Sequence, residues 1–274
     1  MKDPVRRPVI AGSWYPDDPD VLRSEINGFL QEASIGDIPR KPAAIISPHA
    51  GYTYSGRVAA YAYKAIAGRT YGTVVVISPS HRTYFPYVSV WAKGSFATPL
   101  GDIEVDEALC SKLLDASVIF TENTRPHDSE HALEIQLPFL QTVLPSFRLC
   151  PLIMGQQDLE LCSELSSALT ASIDNPEDVL IVASSDLSHF HQAKTAEKMD
   201  ARVARNIEQF AIQALEDDLR ESESEACGGG PIMTALSYAK SLGRTEARVL
   251  NYAHSGHVTG DNASVVGYLS AVIL

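Results

Sequence analysis

Four stretches of the chain run from apolar residues straight into a histidine. Ile45-Ile46 leads into Ser47-Pro48-His49-Ala50-Gly51-Tyr52, and Val76-Ile77 leads into Ser78-Pro79-Ser80-His81. Ile181-Val182 leads into Ser184-Ser185-Asp186-Leu187-Ser188-His189, and Leu250-Asn251 leads into His254-Ser255-Gly256-His257. Ligands of open α/β sheets bind in the crevice outside the carboxyl ends of the strands. Parallel neighbours would therefore bring His49, His81, His189 and His254 to one crevice. Proline at the end of a strand stops the ladder and fixes the turn, which aims the histidine that follows. A lone histidine is usually a surface or core residue; the same habit at four strand ends predicts a common polar site.

Two further residues are of the right type. In Asp128-Ser129-Glu130-His131, Ser129 is a candidate N-cap and His131 falls in the first helical turn. The positive helix end pushes an imidazole there towards its neutral form, which suits a ligand or a donor to substrate, and a structural role fits equally well. Cys227 precedes Gly228-Gly229-Gly230-Pro231, a glycine turn that opens a helix. A thiol at a helix N-terminus gains thiolate character, as nucleophile or as metal ligand, and the glycines would let a ligand approach the backbone. Cys110, Cys150 and Cys162 fall in apolar patterns and read as core residues. His191 and His257 read as supporting or exposed, and His127 as a solvated loop residue. GxxxxGK[ST], GxSxG and HExxH are all absent, so phosphate-loop, serine-hydrolase and zincin chemistry have no motif here.

The elements that must position these groups alternate along the chain. Asp18-Pro19 caps a helix to about Glu32, and Ser55 opens an alanine-rich helix to about Ala67. Ala43–Ser47, Thr73–Ser78, Phe147–Met154, Val179–Ser184 and Arg248–Tyr252 read as core strands, Thr73–Ser78 with no polar alternation. Tyr87–Trp91 and Ser95–Val105 read as short antiparallel strands around Lys93-Gly94 and Leu100-Gly101. Helices are expected at 106–115, at 130–143 with a kink at Pro138, at 193–210 and at 232–242, and a last strand at 265–274. The alternation predicts one α/β domain over residues 1–274, an α/β/α sandwich around a mixed, mostly parallel sheet.

Composition narrows the partners. The 274 residues carry a net charge of −12, with no local cluster of Lys and Arg, so binding to nucleic acid or to an anionic membrane surface is not expected. No run approaches the roughly 20 apolar residues of a membrane span. The basic start lacks an apolar stretch before Pro16, so a signal peptide is not expected, and the four scattered cysteines fit the reducing cytoplasm.

In order, VRRPVIAGSWYP, SPHAGYTYSG, SPSH, TPLGDIEVD, DSEHALEIQLPFL, SSDLSH, ACGGGPI and NYAHSG…VVGY make the chain similar to the Memo family (mediator of ErbB2-driven cell motility and its prokaryotic relatives), from Val5 to Tyr268. The resemblance implies the LigB-like fold of the class III extradiol dioxygenases, which hold non-haem Fe(II) with two histidines and a carboxylate and use a further histidine as acid/base. It places His49 and His81 at the two histidine ligands and His189 at the acid/base. Cys227 falls where the carboxylate would be, a softer ligand that moves the set away from the O2-activating facial triad. It also implies reduced copper or iron as the metal.

Three functions follow as expectations. In the first, His49, His81 and Cys227 bind one transition metal, Fe(II) or Cu(I) with Zn(II) as an alternative. Asp186 and His189 then move protons or support the ligands, and His131 faces the substrate of a metal-dependent oxidoreductase. In the second, the same pocket holds a metal, a small molecule or a peptide without turnover. In the third, Cys227 is the nucleophile of a thiol hydrolase with His189 as base.

Overall fold

The computed structural model describes residues 3–274. Its first elements are β1 (Val5–Arg6), α1 (Pro19–Glu32), β2 (Ala44–Ser47), α2 (Tyr52–Ile66), β3 (Thr73–Pro79), β4 (Val88–Val90), β5 (Ser95–Thr98) and β6 (Gly101–Glu104). Next come α3 (Glu107–Ala116), β7 (Phe120–Glu122), α4 (Arg125–Asp128), α5 (His131–Glu134), α6 (Leu137–Val143), β8 (Arg148–Met154) and α7 (Leu159–Ser172). The chain closes with β9 (Val179–Ser184), β10 (His189–His191), α8 (Ala193–Glu208), α9 (Ile212–Arg220), α10 (Gly229–Ser241), β11 (Ala247–His254), α11 (Gly256–Thr259) and β12 (Val265–Ile273).

Among the described residues, one large mixed sheet carries the fold. β2, β9, β3 and β8 are neighbours in that order and all parallel. β4 then runs antiparallel to β8, with β7 parallel to β4. On the other side β12 lies antiparallel to β2, and β11 antiparallel to β12. Every residue of β2, β3 and β9 is buried, because helices pack on both faces and leave no solvated side for polar alternation. The α/β/α layering with a mostly parallel centre is as the sequence predicts.

Several local expectations are corrected. β4 joins the large sheet, while β5 and β6 form a hairpin in a small separate sheet with β1. The segment 130–143 is two helices rather than one kinked helix. Pro138 has no N–H to give to Glu134, so it serves as an early residue of α6 instead. Glu130, and not Ser129, caps α5. α2 begins at Tyr52 behind Gly51 rather than at Ser55. His127, expected in a solvated loop, is buried in α4. α1 does start as expected, with Asp18 accepting from the amides of Asp20 and Val21.

Candidate metal centre

β2, β3 and β9 are adjacent, so their carboxyl ends deliver His49, His81 and the Asp186–His189 loop to one edge. α5 adds His131 from above that edge. One potential donor atom from each of His49, His81 and His131 lies within 4.8 Å of the other two. The ring centroids are 5.0 Å apart for His49–His81, 5.6 Å for His49–His131 and 4.6 Å for His81–His131.

Hydrogen bonds decide which nitrogen each ring presents. Ser184 Oγ donates its proton to the Ala132 carbonyl and accepts from Gln136 Nε2. Its contact with His49 Nδ1 at 2.9 Å must then be received from an Nδ1–H, which leaves His49 Nε2 as a free lone pair. His81 Nδ1 lies 2.9 Å from Glu130 Oε1. Burial works to raise Glu130, but the hydrogen bond and charge of His81 and the Ala132 amide outweigh it and bring it to about 2. Ionised Glu130 only accepts, so His81 also carries its proton on Nδ1. His189 Nδ1 lies 2.7 Å from the Leu187 carbonyl, another acceptor. Three imidazoles thus turn Nδ1–H to a backing acceptor and leave Nε2 as the nitrogen facing away from it, the arrangement by which a backing group orients a ligating histidine. His131 differs: its Nδ1 has no hydrogen-bond partner, and Trp14 packs on its ring at 4.5 Å.

Burial pushes His49 down to about 3, with His81 adding to the effect, and pushes His131 down to about 4. Both are neutral at physiological pH, the state that coordinates metal. These donors fit a transition-metal ion.

Cys227 sits just before α10 with Sγ 3.0 Å from His49 Nε2, although it is not a member of the 4.8 Å imidazole group. Because that nitrogen is a lone pair, the thiol is the donor. Burial and the nearby Asp186 carboxylate push the thiol up. The expected thiolate character is therefore corrected for the metal-free protein: loss of solvation outweighs the helix end. The helix amides are also occupied, Gly228 N–H by Ser185 Oγ and Gly230 N–H by Gln157 Oε1, each at 2.9 Å. With a protonated thiol and no free amide to hold an oxyanion, the hydrolase reading loses its basis. The glycines serve the chain rather than a ligand: a Cβ on Gly228 would stand 2.1 Å from the Ser184 carbonyl oxygen of β9.

Asp186 Oδ1 accepts from the His49 amide at 2.7 Å, and its Oδ2 is 4.0 Å from His49 Nε2. Burial raises its pKa above the ordinary carboxylate value, against the pull of the His49 amide. His189 is tied through its amide to Glu225, which also meets His191 Nε2 at 2.8 Å. The one sequence candidate not gathered is His254. β12 intervenes between β11 and β2, and His254 stacks on His257 at 3.9 Å with Glu197 3.6 Å from its Nε2. Glu130, Ser184 and Gln136 escaped sequence reasoning, though the Glu130-His131 pair in DSEHALE was a usable signal.

Fold and site together define an α/β/α protein with a histidine cluster of metal-binding type at the carboxyl edge of its sheet. A family model described as Memo-like protein matches residues 6–272. A MEMO1 family protein of Methanobrevibacter smithii is 36% identical over 98% of this chain and 99% of its own length. One from Thermotoga neapolitana is 36% identical over 98% and 99%. The chain belongs to the Memo-like protein family. Among solved structures, uncharacterized protein JW3007 from Escherichia coli K12 shares the fold, with a TM-score of 0.56 at 15% identity over 86% of this chain and 100% of that one.

Proposed function

We propose that the chain binds one transition-metal ion between His49, His81 and His131, with Cys227 as a further donor beside His49, and serves a metal-dependent redox reaction on a small molecule or peptide. The observation that carries this is the set of backing hydrogen bonds that occupy the Nδ1 atoms of His49 and His81 and leave their Nε2 atoms to face the group. Two or three imidazoles and a thiol favour Fe(II), Cu(I) or Zn(II) over Mg2+ and Ca2+, which take oxygen ligands. Bound Fe(II) or Cu(I) would supply one-electron chemistry.

The chain's own residues do the rest. Glu130 and Ser184 hold the two ligand rings, and Asp186 fixes the His49 turn through its backbone amides. His189, its Nδ1 held by the Leu187 carbonyl, offers Nε2 for proton transfer. Exposed Trp14 forms one wall beside His131.

Anaerobic titration with Fe(II), Cu(I) and Zn(II), followed by elemental analysis, tests the reading. One tightly held equivalent is expected, lost in His49→Ala and His81→Ala. Tight Mg2+ binding with no response to the three thiophilic ions would refute it. Comparing His131→Gln with Cys227→Ser identifies the third ligand: if only the cysteine variant loses metal, the set is His49, His81 and Cys227. Stoichiometric metal with no turnover of any redox substrate would favour a binding protein in the same pocket.

A further inference from the structure

Away from this site, two other sulfurs meet in the core. Cys110 on α3 and Cys150 on β8 have their Sγ atoms 3.7 Å apart, and both side chains are fully buried. Beyond each other, the polar neighbour of the pair is the Trp91 carbonyl, 4.0 Å from Cys110 Sγ. Among the described residues the remaining cysteines meet other partners: Cys162 Sγ lies against the carbonyls of Gln157 and Gly230, and Cys227 against His49.

A contact of this length is what two thiols facing each other make. A disulfide needs the sulfurs at about 2.05 Å with the Cβ atoms about 3.8 Å apart. Closure from sulfur contact requires rotation about the two Cα–Cβ bonds and an approach of α3 to β8, on the side of α3 that buries Leu109, Cys110 and Leu113. The geometry points to Cys110 and Cys150 as a latent disulfide, which a two-electron oxidant such as a peroxide closes to staple α3 onto the central sheet.

The chemistry balances with hydrogen peroxide as oxidant. One sulfur, as thiolate, attacks a peroxide oxygen; the O–O bond breaks, leaving a sulfenic acid and hydroxide, which takes up the proton the thiol gave. The second sulfur then attacks the sulfenic sulfur, the S–O bond breaks, and water leaves. Two thiols and one peroxide become one disulfide and two waters. The hydrogen bond with Cys110, and after it burial, hold Cys150 in its protonated state, so closure passes through a local opening of α3 and is slow. Once the bond has formed, the same burial shields it from reducing thiols. The two residues are 40 positions apart, and joining them restrains the unfolded chain over that whole loop.

The test uses the full chain and is read without any activity assay. Protein is treated with hydrogen peroxide, free thiols are alkylated in denaturant, and peptides are mapped without reduction. The expected result is a Cys110 peptide joined to a Cys150 peptide, an intact mass lower by two hydrogens before alkylation, and a Tm above that of untreated protein. Cys227→Ala protein, run in parallel to remove the cysteine nearest solvent, should give the same linkage, and Cys110→Ser should give none. Recovery of both residues as alkylated thiols overturns the inference. So does a linkage that appears only above the urea unfolding midpoint, or one that lowers Tm.

Discussion

Cys227 Sγ stands 3.0 Å from His49 Nε2, and the proton between them belongs to the sulfur. His49 cannot hold it, because its own proton is on Nδ1, facing Ser184, and burial keeps the ring neutral down to about 3. The pair is therefore a neutral thiol donating to a neutral imidazole. A metal that takes both atoms as ligands must displace that proton.

Metal loading should consequently release a proton from Cys227. With wild-type protein and Zn(II) in weak buffer at neutral pH, an indicator dye should record more protons per ion than with Cys227→Ala. Equal release from the two proteins would show that the thiol is not a ligand.

Alkylation should follow the same logic. In the metal-free protein Cys227 should react with iodoacetamide at neutral pH more slowly than a free thiol of similar exposure, because burial and Asp186 push it up. It should still outpace Cys110, Cys150 and Cys162, which are fully buried. Peptide mapping over time gives the four rates; a Cys227 rate above that of free cysteine would restore the activated thiol.

Glu130 accepts the amide and Nδ1–H of His81 together with the amides of His131 and Ala132. Glu130→Gln keeps one acceptor oxygen but loses the charge that fixes the His81 tautomer. Zn(II) affinity, measured by chelator competition, should fall roughly 10–100-fold with little change in circular dichroism. An unchanged affinity would mean His81 is not a ligand.

Glu134 should matter chiefly for stability. It is fully buried, pairs with Arg6, and accepts from the amides of Val9 and Ile10 and from the Tyr15 hydroxyl at 2.7 Å. It thereby fastens the segment that carries Trp14 to the helix that carries His131. Glu134→Ala leaves Arg6 buried without a counter-charge and should cost roughly 3–5 kcal/mol in urea unfolding. A loss below 1 kcal/mol would contradict the buried pair.

Acid should destabilise the metal-free protein early. His49 and His127 are held near 3 and His131 near 4, in each case first by burial, against an ordinary 6.5. Unfolded chains take up these protons as pH falls through about 6.5 while folded chains do not. The stability contributed by each neutral ring is complete above that pH and shrinks by about 1.4 kcal/mol per unit below it, until the folded value is reached. Urea midpoints at pH 7.5, 6 and 5 should drop accordingly. His127→Leu, which removes a buried ring whose two nitrogens have no partner, should flatten the slope by one proton; identical slopes would refute the assignment.

The sequence by itself determined the parallel centre and three of the gathered histidines. Uninterrupted apolar runs have no solvated face to offer, so β2, β3 and β9 had to lie inside the sheet, and their ends had to share an edge. The Asp18-Pro19 start of α1 was legible for a similarly local reason. Only the tertiary structure decided the rest. His254 ends a strand as the others do, yet β12 inserts between β11 and β2, and no residue near His254 encodes that pairing. The fate of the Cys227 proton also lies outside local sequence. A helix end favours thiolate, but the desolvation that opposes it comes from the surrounding fold, and the adverse charge comes from Asp186, 41 residues away in the chain. Tautomers were likewise invisible. Whether His49 and His81 offer Nε2 depends on Ser184 and Glu130, which reach them across 135 and 49 residues. A hydrogen bond carries a direction that residue type alone does not.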